Sequence, residues 1–514
     1  MRTDTRIITE PLGGSALSRA IQAGHTPTAW VAPRPAGIEG WRQHAQQRAG
    51  EKDWAAVWAR LAPAIQSTGA ADERLRRVIA AGGVVVTTGQ QPGLFGGPIY
   101  TLSKAVSALA FADALEAATG VPTVAVFWAA TDDADFAEAS SVAVARRGGL
   151  DVLRSVDAPP PGTPMSLAPL GDLRDQVERL AAACGSTADV RALDFVRDAY
   201  AAGSRATVGG AFVQLMRSLL EPLGMPVLDA SHEAVAAASA PVLSRALGSA
   251  GDVERALASR SAEVRSGGFQ PQVEDVKGLA LVFAREGRIK RRLAVGQAAP
   301  NAVPLSPNVL LRPIVEREIL PTVAYMAGPG ELAYFAQVSV VAHTLQLGVP
   351  LALPRWSCTV IEPEIQRLLD RLGTSIEELS DPAALESRLA RTALDEDARN
   401  ALARFRASLA ALPESLATTA EALDLERAVQ GAAGAMLHRA DRLERRLLAA
   451  VKRRETALMT DAATLRAALR PRGERQERML NPVPMLTRQG LSLLEDMKAV
   501  AVPHAESMLS AHAS

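Results

Sequence analysis

The sequence predicts an α/β protein, a doubly wound parallel sheet with helical insertions, followed by a C-terminal α-helical coiled coil. Three observations predict it. Short, continuous apolar runs end in Gly- or Asp-rich loops and alternate with helical patterns, as buried parallel strands do. Aromatics make up 4% of the chain against 48% hydrophobic residues, so the core is mostly Ala, Leu and Val, which suits packed helices better than a large β-sandwich. After Glu362 the composition shifts to Leu, Ala, Arg and Glu with few strand formers.

In chain order, the first 75 or so residues are helical in pattern, with Trp41, Trp54 and Trp58 as core anchors. The run Gly83 to Thr88 is the first strand and leads into a Gly-rich loop. A helix from Ser103 to Ala118 follows, closed by Gly120-Val121-Pro122, and then a second strand, Thr123 to Trp128, completing a β-loop-α-β unit. From about 150 to 300 a Pro-rich linker (Ala158 to Gly162), Ala-rich helices and the short strand Met225 to Asp229 read as insertions. Strand patterns resume at Gly278 to Phe283, Val309 to Leu311 and Gly348 to Pro354, with a Gly-Pro-Gly turn opening a helix at Glu331. The division expected is a core of residues 1–362 and a helical domain of 363–514, with Leu486, Leu491 and Leu494 returning to the core. Within the helical domain Leu402, Phe405, Leu409, Leu412, Leu416 and Leu423 repeat at three and four, with an interruption expected at Pro413. A helix unbroken from about 414 to 470 would be roughly 85 Å long at about 1.5 Å per residue, so it should project and pair, within the chain or with a second subunit.

Composition excludes several classes. With 56 basic and 56 acidic residues in 514, a generally basic nucleic-acid binder is disfavoured. Two cysteines, Cys184 and Cys358, exclude a disulfide framework or Cys-rich zinc site and fit a reducing compartment. The N-terminus lacks a secretory apolar run, and no stretch of about 18 apolar residues occurs, so the expectation is a cytoplasmic protein without a membrane partner.

Three segments carry chemistry. In the first, Thr88 to Lys104, glycines including Gly89, Gly93 and Gly97 let backbone amides approach a ligand, and the following helix N-terminus favours an anion. Gln90, Gln91, Tyr100 and Lys104 add hydrogen bonds and charge, although a tight turn alone also explains the glycines. The second, Trp128 to Asp135, follows a strand, and its carboxylates Asp132, Asp133 and Asp135 hold an ammonium, act as a base, ligate Mg²⁺, or simply cap a helix. In the third, Arg312 and Arg355 abut strand ends, where a guanidinium clamps a carboxylate or phosphate, and Glu331, Tyr334 and Gln337 share a helix face. Buried salt bridges are the alternative for these. Cys358, with no nearby His, reads as core, and His343 as a helix-face residue.

In order along the chain, TTGQQPGLFGGPIYTLSKA, VFWAATDDADFAEAS, GGFQPQVED, LLRPIVEREILPTVAYMAGPGELAYFAQ, LPRWSCTVIE and QERMLNPVPMLTRQG resemble the cysteine ligase family of bacillithiol biosynthesis (BshC) over nearly the whole chain. The resemblance implies a Rossmann-like core with connecting-peptide insertions and a C-terminal coiled coil that forms a homodimer. It implies a reaction joining the carboxyl of L-cysteine to the amine of glucosaminyl-malate, with ATP or its product ADP bound and Mg²⁺ as a companion. On that reading Asp132, Asp133, Asp135, Arg312 and Glu331 are catalytic, while Gly89, Gln90, Gln91, Gly93, Gly97, Tyr100, Lys104, Tyr334, Gln337 and Arg355 bind substrate or nucleotide. One departure stands out: the family motif Glu-Asp-His-Asp is Asp132-Asp133-Ala134-Asp135 here, so the imidazole is missing and a carboxylate or water must replace any role it has. Two other classes remain: a nucleotidyltransferase adenylating another small acid, though without HIGH or KMSKS signatures, and a nucleotide-binding coiled-coil scaffold without turnover.

Overall fold

The computed structural model describes residues 5–155, 157–185, 188–201, 203, 206–274, 276–300 and 303–510. Asp275, the last residue of the GGFQPQVED motif, lies outside them. Nine strands matter to the site: β1 (Ile65–Gln66), β2 (Val84–Gln90), β3 (Thr123–Ala129), β4 (Val227–Asp229), β5 (Leu279–Glu286), β6 (Ile289–Ala294), β7 (Leu305–Pro307), β8 (Thr322–Ala327) and β9 (Ala352–Pro354). So do the helices α1 (Tyr100–Thr119), α2 (Glu233–Gly248), α3 (Arg312–Ile319), α4 (Pro329–Thr344), α5 (Glu396–Ser415), α6 (Glu426–Arg454) and α7 (Leu493–Ser510).

The main sheet has the order β9-β8-β2-β3-β4-β1, parallel throughout except for β1 against β4. Val84, Val85, Val86 and Val124, Val126, Phe127 are fully buried, as central strands covered on both faces require. The chain runs from β2 outward through β3 to β4, then returns to add β8 and β9 on the other side of β2. The topological switch therefore falls between β2 and β8, where the loops at their carboxyl ends diverge and open a crevice. Register aligns those ends: Gln90 pairs with Ala129, Ala129 with Asp229, and Ala327 with Pro354.

Three strand expectations change. Gly278 to Phe283 is a strand, but as β5 it belongs to a separate antiparallel sheet of order β7-β5-β6. Val309 to Leu311 is a turn: Asn308 Oδ1 accepts from the N–H of Leu310 (3.1 Å) and Leu311 (3.0 Å), curling the chain into α3 before an extended run can form. Only Ala352–Pro354 of the Gly348 to Pro354 run is strand. Trp41, Trp54 and Trp58 are buried as anchors.

The chain divides into two compact units: Met1–Val144, Val152–Val360 and Glu477–Ser514 form one, Ala145–Asp151 and Ile361–Gln476 the other. In the second unit the long helix breaks. α5 passes through Pro413 without interruption, and the turn comes later, where Asp424 adopts a left-handed φ of 57° that Asp tolerates better than most residues. A second break falls at Glu455. α5 and α6 pack together, with Arg406 bridging to Glu444 at 2.7 Å; of the expected seam Leu409 is buried, while Phe405, Leu416 and Leu423 stay exposed.

In the first unit the tail closes on the Gly-rich loop. Asn481 Nδ2 donates to the carbonyls of Phe95 (2.8 Å) and Gly97 (3.0 Å), and Ile99 N–H donates to Leu480 O (2.8 Å). Phe95 sits at φ 51°, an uncommon conformation for a buried aromatic, and Tyr200 packs edge-on at 4.9 Å while its hydroxyl donates to Gly93 O. α7 packs along α1. Asn481→Ala leaves two buried carbonyls without their donor and is expected to lower the unfolding free energy by about 1–3 kcal/mol, measured by urea denaturation; an unchanged midpoint would mean that the loop holds itself.

Candidate active-site cleft

At the carboxyl edge of the main sheet a cleft of about 690 Å³ gathers residues from nine separate stretches of chain. Such a volume suits a metabolite-sized ligand. It is lined by Gly89, Gln90, Gln91, Tyr100, Lys104, Asp132, Asp133, Glu331, Tyr334, Arg312 and Arg355 among the residues expected from sequence. Gly93, Gly97, Asp135 and Gln337 are not in its lining.

Lys104 and Glu331 sit at its centre. Lys104, one turn into α1, is 5% exposed, and its ammonium donates to Gly89 O (2.9 Å), Gln90 Oε1 (2.9 Å) and Glu331 Oε2 (2.6 Å). Glu331 is the third residue of α4 and reaches back to Gly328 N–H at 2.6 Å, so one carboxylate caps the helix and pairs with Lys104. Tyr325 OH donates to its other oxygen at 2.5 Å, and Arg312 Nη2 lies 3.7 Å from that oxygen. Burial opposes the charge of Glu331, but Lys104 and Arg312 outweigh it and hold the carboxyl below its ordinary range. Glu331 is therefore an ionised acceptor that fixes the loops after β2 and β8.

Gly89 fits because a β-carbon there would lie 2.9 Å from Trp128 O on the neighbouring strand. Gly93 and Gly97 crowd each other in the turn held by Asn481, and a β-carbon on Gly93 would meet Gly97 Cα at 2.7 Å. They shape the loop from behind and do not cradle a ligand. At the start of α1, Ile99 N–H is taken by Leu480 O and Thr101 N–H by Pro98 O.

The acidic segment also separates. Asp133 Oδ1 accepts from the N–H of Ala134 and Asp135, and Asp135 caps the next short helix by accepting from Glu138 N–H. Among the described residues no group of three or more His, Cys, Asp or Glu side chains is placed to hold a metal ion, so the reading of the three aspartates as Mg²⁺ ligands is corrected. Asp132 remains as the buried carboxyl, pushed up by desolvation and only partly offset by Lys290 at 3.8 Å. Ala134 puts a methyl group in the cleft where the family pattern carries an imidazole. Glu138, not anticipated, supplies a carboxyl beside Gln91 and Tyr100, raised by burial and by Asp135 and Asp133.

Both expected arginines are already engaged. Arg355 makes a two-pronged pair with Glu477 at 2.8 Å on each side, leaving only its buried Nε without a partner among the described residues. Arg312 donates to Glu316 (3.1 Å), Tyr325 (3.2 Å) and Tyr334 (3.0 Å). The two-pronged clamp on a ligand is thus corrected to internal pairing. Gln337 exchanges hydrogen bonds with the backbone of Val273 and so positions the neighbouring cleft segment. Of the cations lining the cleft, Lys104, Lys290, Arg312 and Arg355 each face a carboxylate, while Arg292 and Arg478 have no carboxylate partner among the described residues. Lys290 and Arg292 share one face of β6 by their period-two spacing, which sequence alone offers once 289–294 is read as a strand. Cys358 is buried with its thiol pushed up, and His343 is exposed on α4, as a core residue and a helix-face residue should be.

A Rossmann-like sheet with its crevice at the switch point, followed by a helical second unit, defines a class of small-molecule enzymes rather than one reaction. The models for the BshC N-terminal Rossmann-like domain and C-terminal coiled-coil domain of bacillithiol biosynthesis match residues 34–300 with 294–356 and residues 358–509, respectively, so the chain belongs to the BshC family, whose members are ligases. Relatives bearing the name "Putative cysteine ligase BshC" include those of Solibacter usitatus (32% identical, covering 82% of both chains), Koribacter versatilis (33%, covering 83% of this chain and 82% of the relative) and Salinibacter ruber (30%, covering 83% of both). No helix among the described residues is long and apolar enough to cross a membrane.

Glu316, 1% exposed beneath the cleft and bonded to Thr87 and Arg312, has its carboxyl pushed up by burial from 4.5 to about 7. It binds a proton more tightly folded than unfolded, so its ionisation opposes folding: no cost below about pH 4.5, a growing one up to about pH 7. Glu316→Gln should therefore gain stability relative to the parent by about 3 kcal/mol across that window, at about 1.4 kcal/mol per pH unit. Urea titrations at several pH values check this, and parallel curves would contradict it.

Proposed function

We propose that the protein joins the carboxyl of L-cysteine to the amine of glucosaminyl-malate, in the cytoplasm and with ATP as cosubstrate. The observation that carries this reading is that one cleft offers a buried carboxyl, Asp132, together with the uncompensated cations Arg292 and Arg478. An ammonium matches the first, and a carboxylate or phosphate matches the others. Amide formation removes one oxygen from the carboxylate and two protons from the ammonium. ATP, when bound, would supply the phosphoryl or nucleotidyl group with which that oxygen leaves.

The residues present fit a polyphosphate at Arg478, the buried Nε of Arg355 and the Gly328 to Gly330 start of α4. Asp132 and Glu138, both with proton affinity raised by burial, are the carboxyls that would accept a proton from the amine and stand in for the missing imidazole. Lys104 and Glu331 keep the two loops in register around the reacting groups. Mass spectrometry of purified protein with glucosaminyl-malate and cysteine, with and without ATP and Mg²⁺, tests the reaction. Amide product that needs protein and ATP is expected; Asp132→Asn should cut turnover at least a hundredfold, and Arg478→Ala should raise the ATP KM about tenfold. Adenylation of other acids, or nucleotide binding without turnover, would replace this reading.

We also propose that the helical unit pairs with a second copy. Leu423, Leu425, Met436 and Leu443 are exposed on it, more apolar surface than a solvated helix pair needs. Light scattering should give a dimer mass for the parent and a monomer mass for the double variant Met436→Asp, Leu443→Asp; a monomeric parent would end this proposal.

A further inference from the structure

A second cavity of about 130 Å³ adjoins the cleft and shares Trp128, Asp132, Lys290, Pro307 and Arg312 with it. A cavity of roughly 150 Å³ holds a single benzene ring, so this one suits a short side chain and is too small for a benzylthio group. Much of its wall is apolar, including Pro164, Ala230, Val235, Ala236, Leu305 and Val315. Three lining residues nevertheless carry buried polar atoms without a hydrogen-bond partner among the described residues: Trp128 Nε1, Ser166 Oγ and Arg285 Nε. Trp128 is 2% exposed. Buried donors left unmade cost about 1–3 kcal/mol each, so three around one small, partly apolar space point to an occupant that accepts hydrogen bonds while tolerating apolar walls. Glu233 also lines the cavity, but it is exposed and makes no ion pair with Arg285.

Sulfur has that character, and a neighbouring guanidinium favours the thiolate form of a thiol. We propose that this cavity is the pocket for the side chain of the cysteine substrate, with the carboxylate left in the main cleft. The inference rests on the ligase reading and assigns a subsite within it.

Calorimetric titration of the full chain, with glucosaminyl-malate present, tests the assignment using L-cysteine, its methyl analogue L-2-aminobutyrate and the bulky S-benzyl-L-cysteine. The parent should bind cysteine, bind aminobutyrate several-fold more weakly and reject the benzyl compound. Ala236→Met, which fills the cavity from α2, should weaken cysteine at least tenfold and leave glucosaminyl-malate affinity unchanged. Trp128→Phe removes the indole N–H and should abolish the preference for cysteine over aminobutyrate. Equal binding of cysteine by Ala236→Met, or of the benzyl compound by the parent, overturns the pocket even if amide is still formed. The expected binding pattern without amide product upholds the pocket and overturns the ligase reading, and no cysteine binding by the parent overturns both.

Discussion

The buried pair of Lys104 and Glu331 is the interaction on which the cleft depends. It joins the helix after β2 to the helix after β8, the two elements that part at the topological switch. A lone ammonium or carboxylate there would face a desolvation penalty of several kcal/mol, so neither residue is placed without the other. Glu331 answers it with four donors and Lys104 with three acceptors, which fixes both loops more tightly than a surface ion pair would. The crevice between the strands is consequently a preorganised space, with its charges in place before any ligand arrives.

Around that pair, charge is sorted by what is already satisfied. Arg355 and Arg312 carry the formal charge that a sequence reader assigns to substrate, yet Glu477 and Glu316 occupy them. Through those pairs they hold the walls, and the cleft cations that lack such carboxylate partners are Arg292 and Arg478. The same sorting acts on the acidic segment: Asp133 and Asp135 serve the backbone, while Asp132 and Glu138 keep carboxyls facing the cleft. The absence of an imidazole at Ala134 thus falls in a site that retains two carboxyls with raised proton affinity.

The Gly-rich loop shows how a motif's position misleads about its work. Its glycines follow a strand and precede a helix, the arrangement of a phosphate cradle, but Asn481, nearly four hundred residues later in the chain, occupies the concave side through Phe95 O and Gly97 O. Only Gly89 of the expected glycines meets the cleft, because β3 runs too close for a side chain at that point.

Much was legible from sequence because it depends on local pattern. Val84 to Val86 and Val124 to Phe127 announce buried parallel strands, and the Ala- and Leu-rich stretches announce helices, because side-chain period and burial are written residue by residue. Family membership was legible for the same reason, in ordered motifs that survive without knowledge of their contacts. The placement of Gln90, Lys104, Asp132 and Glu331 at one edge followed from the strand ends they flank. What only the tertiary structure decided was which charged groups are spent on each other. Arg355 with Glu477, Asn481 with the loop at Phe95, and Lys290 with Asp132 are pairs far apart in sequence, and no local period encodes them. Turn chemistry decided the rest: Asn308 curls Val309 to Leu311 away from a strand, and Asp424 folds the long helix back so that α5 and α6 pack together. Sequence by itself determined the elements and the edge at which chemistry occurs; long-range pairing determined which side chains there remain free to perform it.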